Sequence, residues 1–390
     1  MAKIVQLPSA ERPVPFTTYV VKVVSRCNLN CEYCYMYNLA DRTYRDQPGT
    51  MRSETTSAMC QRIATHARRH GVKWVHIILH GGEPLMMGKE RLAEWVGLVR
   101  QSLEDIQASF SIQSNGTLID REWIDLFARL QLRIGISVDG PKMFHDRYRV
   151  DHKGRGSFDD VITAIRTLQR HPRGSEVFSC VMAVVNPEIP PQTLFEFWQF
   201  LDVPGFDLSL PHANYLHEPN RSHMSFGEWL RDFFDLWFDQ NRPDRSVRYF
   251  ENILRMLFGY PVSTDNIGGK PVGVVVVETD GGIEPTDAFK CCEEGVTKLG
   301  LNVHFADFDD LYRIPLVQTL QHGTPRLCAT CQACELNEVC GGGYMPHRYS
   351  RERGFDNPSV YCDDLQLLIR HIRRRVLESL PSHMRDVVLA

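Results

Sequence analysis

Hydrophobic runs of strand length alternate with helix-period segments through the first half of the chain. In the helix-period segments, apolar residues such as Met59, Ile63 and Ala67 recur every four positions, which is the spacing of one helix face. The six predicted strands are residues 16–24, 74–80, 109–114, 132–138, 177–185 and 206–210. Repeated strand-helix units build parallel sheets, because each crossover helix covers a sheet face. The pattern predicts a doubly wound sheet or an incomplete barrel.

Polar or glycine-rich segments follow the ends of four of these predicted strands. They read SRCNLNC, HGGEP, SNGT and SVDGP in chain order. Parallel α/β proteins place their chemistry at the carboxyl edge of the sheet. We therefore expect the functional site to lie where these four segments meet.

The pattern changes after about residue 211. Residues 225–240 predict an aromatic amphipathic helix and residues 248–257 a second helix, which together form a bridge. A strand and a hairpin turn at Asp280-Gly281 follow, and then seven of the twelve cysteines. The predicted domains are an N-terminal extension (1–15), a barrel (16–224), a helical bridge (225–264) and a C-terminal cysteine-rich domain (265–390).

Composition limits the partners of the chain. With 44 basic and 48 acidic residues the net charge is -4, so no overall field favours nucleic acid or an anionic membrane surface. The N-terminus lacks the apolar core of a signal peptide, and no apolar run is long enough to span a bilayer. The sequence predicts a cytoplasmic protein without nucleic-acid or membrane partners.

The cysteines are clustered. A disulfide framework is not expected in a reducing compartment, and two groups of closely spaced cysteines favour metal binding. Cys60 and Cys180 lie outside both groups and are predicted to be buried core thiols.

The first group is a triad, Cys27, Cys31 and Cys34, spaced Cys-x3-Cys-x2-Cys. A structural zinc site would need a fourth ligand nearby, and the next cysteine, Cys60, falls in a predicted helix. A four-iron four-sulfur (4Fe-4S) cluster held by three thiolates instead leaves one iron with an open coordination position. The triad therefore favours a cluster that binds a further ligand.

The triad, with Tyr33 before its last cysteine, resembles the radical S-adenosylmethionine (radical SAM) superfamily. The resemblance implies a partial (β/α)6 TIM-type barrel. It also implies that the open iron binds S-adenosyl-L-methionine, and that an electron from the cluster then releases a 5'-deoxyadenosyl radical that abstracts hydrogen from a substrate. The protein would position these groups and exclude water.

The segment HGGEP supports this resemblance. Gly81 and Gly82 would let the backbone approach a ligand closely, and Glu83 could accept a hydrogen bond from an ammonium group. In the family that this chain resembles, the motif binds the methionyl amino group.

Three further residues are candidate contacts of S-adenosylmethionine. Asn115 and Ser137 follow later strands and are plausible ribose contacts, and Arg149 could pair with the methionyl carboxylate. Alternatives stay open, because Asn115 precedes a glycine and could serve only a turn, and Arg149 could be a surface or interdomain charge.

The second cysteine group resembles the SPASM domain found on radical enzymes that modify peptides. Its members are Cys331, Cys334, Cys340 and the distant Cys362, with Cys328 as an alternative to Cys331. The resemblance implies one auxiliary 4Fe-4S cluster with all four irons ligated. Spacing alone also permits a zinc ribbon, since Cys-x2-Cys pairs serve both metals.

A complete SPASM domain holds a second auxiliary cluster, and this chain departs from that pattern. Tyr344 and Thr286 stand where two of its ligands are expected. Cys292 fits a third ligand position, but Cys291, Cys292 and Cys328 do not obviously assemble a four-thiolate site. We therefore expect a single auxiliary cluster.

Over residues 16–370 the chain resembles the FxS-type radical SAM/SPASM maturases. The resemblance implies a ribosomally made precursor peptide as substrate, a carbon-carbon cross-link between an aromatic ring and a β-carbon (a cyclophane), and an electron donor such as flavodoxin or ferredoxin. We expect leader binding by the barrel, the bridge or a separate protein. Two alternatives are a radical SAM dehydrogenase, formylglycine-type or acting on a small alcohol, and a colourless zinc-binding interaction module.

Overall fold

The computed structural model describes residues 13–221, 223–262, 264–322 and 327–381. Most of the predicted N-terminal extension and the last part of the predicted C-terminal domain, residues 382–390, lie outside the described residues. The strands are β1 Thr18–Val24, β2 Trp74–Gly81, β3 Gln107–Ser114, β4 Leu132–Ser137, β5 Phe178–Val184, β6 Gly205–Ser209, β7 Ser246–Val247, β8 Val274–Val277 and β9 Ile283–Glu284.

Helices connect and cover these strands. The α-helices are α1 Ser53–His70, α2 Lys89–Ser102, α3 Arg121–Arg129, α4 Lys142–Tyr148, α5 Phe158–Arg170, α6 Gly174–Val177, α7 Pro191–Leu201, α8 Phe226–Asp239, α9 Arg248–Leu257, α10 Pro315–His322, α11 Ala329–Gln332, α12 Asn337–Cys340 and α13 Cys362–Ser379. Short 3-10 helices are Thr43–Asp46, Pro84–Met87, Asp287–Cys291, Phe308–Arg313 and Met345–Arg348.

The strands form one sheet in the order β7-β6-β5-β4-β3-β2-β1-β8-β9. The six predicted strands are confirmed within two residues at each end, and β1 to β6 are all parallel. In β2 and β3 buried and partly exposed positions alternate, because one face packs in the core and the other lines a cavity, and the apolar residues of the buried face located these strands. Within the described residues the sheet does not close, so the predicted partial barrel is confirmed.

The helix layer covers the outer face of this sheet. Met59, Ile63 and Ala67 of α1 are buried in the core, as their spacing predicted. The inner face of the sheet, together with the residues that follow β9, encloses a cavity of about 650 Å³. Cys60 is buried as predicted, but Cys180 is only half-buried and lines this cavity, so that part of the core-thiol prediction is wrong.

The C-terminal region is built onto the barrel sheet. β8 pairs in parallel with β1, with Thr18 opposite Val274, and in antiparallel fashion with β9 across the predicted turn at Asp280-Gly281. Gly281 takes a φ of +89°, a conformation that glycine adopts without strain. The segment that the sequence assigned to a separate domain therefore begins as a strand of the barrel sheet.

The two bridge helices are present as α8 and α9, and α13 packs on α8. Asp364 of α13 accepts a hydrogen bond of 2.8 Å from the backbone N–H of Gly227, and His371 lies 2.7 Å from the Asp235 carboxylate. The Trp and Phe residues of α8 are mostly buried, in agreement with a packing role. No described helix is both long enough and apolar enough to cross a membrane.

Candidate functional site

The triad lies on the loop that follows β1. The thiols of Cys27, Cys31 and Cys34 lie within electrostatic range of one another. The Cys34 N–H donates to the Cys31 carbonyl over 3.0 Å, and the Leu29 N–H donates to Cys27 Sγ over 3.4 Å. Burial raises the pKa of Cys34 to about 11, so metal binding at this loop displaces thiol protons. Three converging thiols with N–H donors fit a 4Fe-4S cluster with one open iron.

Gly81 and Gly82 are required for packing of the triad loop. A Cβ atom on Gly81 would lie 1.9 Å from the Val24 carbonyl oxygen, and one on Gly82 would lie 2.1 Å from the Arg26 carbonyl oxygen. The close approach that these glycines allow is therefore to the backbone of the triad loop. Their contact with a cofactor stays a prediction.

Glu83 joins the ends of β2 and β3. Its carboxylate is 1% exposed and accepts hydrogen bonds from the Leu85 N–H (3.0 Å), the Ser114 hydroxyl (2.9 Å) and the Asn115 N–H (2.7 Å). Burial raises the pKa of Glu83 to about 7, and these hydrogen bonds oppose the increase. Each carboxylate oxygen can accept two hydrogen bonds, so Oε2 keeps one acceptor position for an ammonium group.

Of the two predicted ribose contacts, Asn115 belongs to this network, whereas Ser137 contacts a neighbouring strand. The Asn115 side-chain amide donates to Asn28 Oδ1 over 2.9 Å and lies 3.8 Å from Cys27 Sγ. The Ser137 hydroxyl accepts from the Gln113 amide over 3.0 Å. Both residues stand at the carboxyl edge of the sheet beside the triad, where the sequence placed them, and their contact with ribose stays a prediction.

Arg149 is not a surface charge, so that alternative is wrong. Its Nε lies 2.8 Å from Asp139 Oδ2, and its guanidinium carbon lies 5.5 Å from the centroid of the Tyr33 ring. Tyr33 also donates to Asp139. The guanidinium is buried beside Cys31 and already has a carboxylate partner, so a methionyl carboxylate would have to share it.

A small, largely apolar cavity of about 190 Å³ opens beside this ion pair. Tyr33, Val184, Val185 and Phe226 are among its lining residues. An aromatic ring and aliphatic side chains with a few polar groups are typical of sites for planar, partly apolar ligands. The cavity is therefore a candidate for the adenosyl group of a ligand bound at the triad.

A buried charged group faces the larger cavity and was missed by the sequence analysis. Lys22 is 0% exposed, forms an ion pair with Asp287, and has its Nζ 2.9 Å from His80 Nδ1. The Tyr35 hydroxyl donates to Asp287 Oδ2 over 2.7 Å. The sequence does contain a signal for this group, which is a lysine inside a predicted buried strand. Such a lysine needs an acidic partner, so its presence predicts a buried ion pair.

The charge states of this group follow from its contacts. Burial alone would raise the pKa of Asp287, but Lys22, His80 and Tyr35 together lower it below its ordinary value. Burial and Lys22 lower the pKa of His80 to about 4. At neutral pH the cavity therefore contains an ionised Asp287 carboxylate and an uncharged His80.

Tyr344 and Thr286, which the sequence places at two expected ligand positions of a second cluster, line the same cavity or lie next to it. The Tyr344 ring lies 6.1 Å from the ring of His212 and 5.2 Å from that of His347, and Thr286 directly precedes Asp287. Cys291 and Cys292 have their sulfur atoms 3.9 Å apart. They belong to a buried cluster with Phe289, Met345 and Tyr349, and Cys292 is not among the thiols grouped around Cys331.

The auxiliary cysteines come together as predicted. Cys331 packs with Cys328 in one buried cluster and lies within electrostatic range of Cys340 and Cys362. Cys334 lies within electrostatic range of both Cys340 and Cys362, so the five thiols lie in one region of the structure. We call these five residues the auxiliary cysteine group. The structure keeps both Cys328 and Cys331 available as ligands.

Polar donors surround the auxiliary cysteine group. The Leu336 N–H lies 3.5 Å from Cys334 Sγ, and the Gln366 amide lies 3.4 Å from Cys362 Sγ. Arg348 is 5% exposed, its Nε and Nη1 atoms have no hydrogen-bond partner among the described residues, and Cys331, Cys328 and Cys340 act on it. A buried cation with unpartnered N–H groups, within electrostatic range of these thiols, fits an anionic metal cluster at this position.

Comparisons with known proteins agree with this geometry. Residues 21–201 match the family model of the Radical SAM superfamily. The chain is 26% identical over 351 residues to a cysteine-type anaerobic sulfatase-maturating enzyme of Clostridium novyi (strain NT), covering 88% of this chain and 91% of the relative. It is 26% identical over 367 residues to a serine-type anaerobic sulfatase-maturating enzyme of Bacteroides thetaiotaomicron, covering 86% and 84%.

Solved structures share the fold. Native anSMEcpe with bound AdoMet and Kp18Cys peptide aligns with a TM-score of 0.79 at 23% identity, covering 93% of this chain and 98% of that one. Streptococcus suis SuiB bound to precursor peptide SuiA aligns with a TM-score of 0.59 at 16% identity, covering 88% and 74%. The cysteine triad after β1 and the open parallel sheet agree with the match of residues 21–201 to the Radical SAM superfamily model, and the chain has the fold of the solved radical SAM structures.

Proposed function

We propose that this protein uses S-adenosylmethionine and a 4Fe-4S cluster held by Cys27, Cys31 and Cys34 to oxidise a residue within a peptide. When bound, these cofactors supply a 5'-deoxyadenosyl radical that abstracts a hydrogen atom from the substrate. The observation that carries the proposal is the ionised Asp287 carboxylate in the 650 Å³ cavity, which neighbours the triad loop through Tyr35.

The residues around the triad would hold S-adenosylmethionine. Tyr33 and the 190 Å³ cavity suit its adenosyl group, and the remaining acceptor position of Glu83 suits its amino group. Arg149 lies close enough to the triad to share its charge between Asp139 and a carboxylate of the ligand. An external electron donor such as flavodoxin or ferredoxin would reduce the cluster.

Asp287 would accept the proton that the reaction releases. After loss of a hydrogen atom, the substrate must lose one electron and one proton to become a closed-shell product. Once the electron has left, the acidic proton is the hydroxyl or thiol proton of the oxidised side chain, or the ring proton at a new carbon-carbon bond, and it is acidic enough to pass to a carboxylate even when the pKa of that carboxylate is lowered. Lys22 and Tyr35 hold the carboxylate in place through the contacts described above. The auxiliary cysteine group would hold the second cluster, which supplies an electron-accepting site.

The first candidate reaction is oxidation of a cysteine or serine side chain in a peptide or protein. The support is that sulfatase-maturating enzymes match about nine-tenths of this chain, which makes this alternative closer to the relatives than the predicted cross-link. The solved structures with bound peptides show that this fold can admit a peptide.

Cyclophane formation is the second candidate. It is favoured by Thr286 and Tyr344, which replace two expected ligands of a second auxiliary cluster, and by the motif resemblance to FxS-type maturases. Both reactions require hydrogen abstraction at a β-carbon and loss of a proton, so the same cavity and the same Asp287 carboxylate would serve either one.

Fragmentation mass spectrometry of a candidate peptide, after co-expression with the enzyme, distinguishes the two reactions. Oxidation of serine to the aldehyde and formation of a cross-link both remove two hydrogens, so intact mass does not separate them. Oxidation of cysteine removes two hydrogens to give a thioaldehyde, which water converts to the aldehyde with release of hydrogen sulfide, and intact mass identifies that product. An aldehyde leaves the backbone fragment ladder complete and reacts with hydrazine reagents, whereas a ring suppresses cleavage inside it. A complete ladder with a hydrazine-reactive residue is expected for the first candidate.

Two variants connect the outcome to the structure. Cys31→Ala should abolish 5'-deoxyadenosine formation, because it removes a cluster ligand. Asp287→Asn should keep 5'-deoxyadenosine formation but lower product formation, by about 10²–10⁴-fold if Asp287 is the proton acceptor. Unmodified peptides in every case, with 5'-deoxyadenosine still formed from S-adenosylmethionine, would contradict a peptide substrate.

A further inference from the structure

Among the described residues, Arg348 is a buried cation without a carboxylate partner. It is 5% exposed, and its Nε and Nη1 atoms have no hydrogen-bond partner among the described residues. The thiols of Cys331, Cys328 and Cys340 lie within electrostatic range of the guanidinium. Asp356 is exposed and already pairs with Arg353. Burial of an uncompensated charge is strongly unfavourable, so the site requires an anion that faces the guanidinium.

The local backbone holds Arg348 in this position. The residue ends the 3-10 helix Met345–Arg348, and its carbonyl oxygen accepts a hydrogen bond of 2.9 Å from the Asn357 side chain. A Cβ atom on Gly342 would lie 3.3 Å from Arg348 Nη1 and 2.7 Å from a methyl carbon of Leu327. The absence of a side chain at Gly342 therefore leaves space for the guanidinium beside the auxiliary cysteine group.

We propose that Arg348 is the charge partner of a 4Fe-4S cluster held by the auxiliary cysteine group, and that it raises the reduction potential of this cluster. The proposal rests on the auxiliary cluster of the proposed function, but not on the identity of the peptide. Reduction adds one negative charge to a cluster that four thiolates already make anionic. A fixed cation and N–H donors facing the sulfur atoms stabilise the reduced form more than the oxidised form. Arg348 thus makes the auxiliary site a better electron acceptor for the oxidation proposed above.

A protein that holds only the auxiliary cluster makes the potential directly measurable. We would replace Cys27, Cys31 and Cys34 by alanine in the full-length chain, reconstitute it anaerobically and confirm about four irons per chain. This parent is compared with the same protein carrying Arg348→Gln, Arg348→Met or Arg348→Lys. The midpoint potential is read from a redox titration followed by electron paramagnetic resonance, so no substrate or enzyme activity is needed.

The neutral variants should have lower midpoint potentials than the parent, and the lysine variant should retain most of the parent value because it keeps the charge. Arg353→Gln is the matched control, since Arg353 belongs to the same segment but is exposed and pairs with Asp356. Its potential should equal that of the parent. Equal potentials in the parent and in Arg348→Gln, with full iron content, would overturn the proposal and leave the auxiliary cluster intact.

Iron content decides the remaining outcomes. If both neutral variants lose iron while Arg348→Lys retains it, the positive charge is needed for cluster assembly, which supports its role as charge partner. If Arg348→Lys also loses iron, the side chain acts through its shape and the proposal is wrong. A parent protein that binds zinc or no metal would overturn both the auxiliary cluster and the role of Arg348.

Discussion

The buried pair of Lys22 and Asp287 gives a quantitative prediction. Asp287→Leu removes the carboxylate and leaves the Lys22 ammonium fully buried, with His80 as its remaining polar neighbour. Breaking a buried ion pair in this way costs about 3–5 kcal/mol, because an uncompensated charge stays inside. For a chain of 390 residues this corresponds to a fall of roughly 4–6 °C in melting temperature. Lys22→Met should be destabilising to a similar degree, because it leaves the carboxylate unpaired.

The double variant tests the coupling. Lys22→Met combined with Asp287→Leu removes both charges, and replacement of a buried pair by apolar residues is often nearly neutral. We therefore expect the double variant to melt within about 2 °C of the parent, well above either single variant. Melting is followed by fluorescence under anaerobic conditions on reconstituted protein. A surface control is Asp105→Leu, whose exposed pair with Arg68 should contribute less than about 1 kcal/mol.

Additive destabilisation in the double variant would refute this reasoning, because it would show that the two residues stabilise the fold through separate contacts. Activity gives a second measure on the same proteins. All three variants should lose peptide modification, since each disturbs or removes the carboxylate. The stable double variant is the informative one, because its loss of product cannot be attributed to unfolding.

Three further predictions follow from the site. Gly82→Ala should displace the triad loop and lower the iron content by about four per chain, whereas Gly97→Ala, which has open space around it, should leave the iron content unchanged. Fully reconstituted protein should hold about eight irons, and a value of about twelve would show that another cysteine site is complete. Because burial raises the pKa of Glu83 to about 7, its ionisation should weaken the fold as pH rises from about 4.5 through 7. The free energy of unfolding of Glu83→Gln, relative to that of the parent, should therefore increase by roughly 3 kcal/mol between pH 4.5 and pH 8, as measured from melting temperatures. If this difference does not change with pH, Glu83 is not a buried carboxylate that titrates in this range.

The hydrophobic pattern was sufficient for the six parallel strands, because in each of them buried apolar residues recur along a short stretch that ends in a polar turn. It did not reveal that β8 pairs with β1, since strands 250 residues apart leave no local trace of their pairing. The triad was readable because its spacing alone restricts the possible metal sites.

The charged groups of the site were harder to predict. Asp287 lies in a segment without a recognisable motif, and only the fold brings it to Lys22. Arg348 lies in the run HRYSRER, where most charged side chains would be expected to face solvent. In the structure Arg348 is buried, whereas its neighbour Arg351 is exposed and pairs with Glu293.

Because β8 pairs in parallel with β1, the two halves of the chain cannot be separated without breaking the sheet. β1 leads directly into the triad, and it is held by β2 on one side and by β8 on the other. A fragment ending at residue 264 would lack β8 and would expose the unpaired backbone N–H and C=O groups of β1, which are a template for aggregation. The triad loop starts at the end of β1, and in this fragment β1 would no longer be held by β8 on one side. The catalytic half is therefore expected to require the C-terminal half for solubility, independently of any chemistry that the auxiliary cysteine group performs.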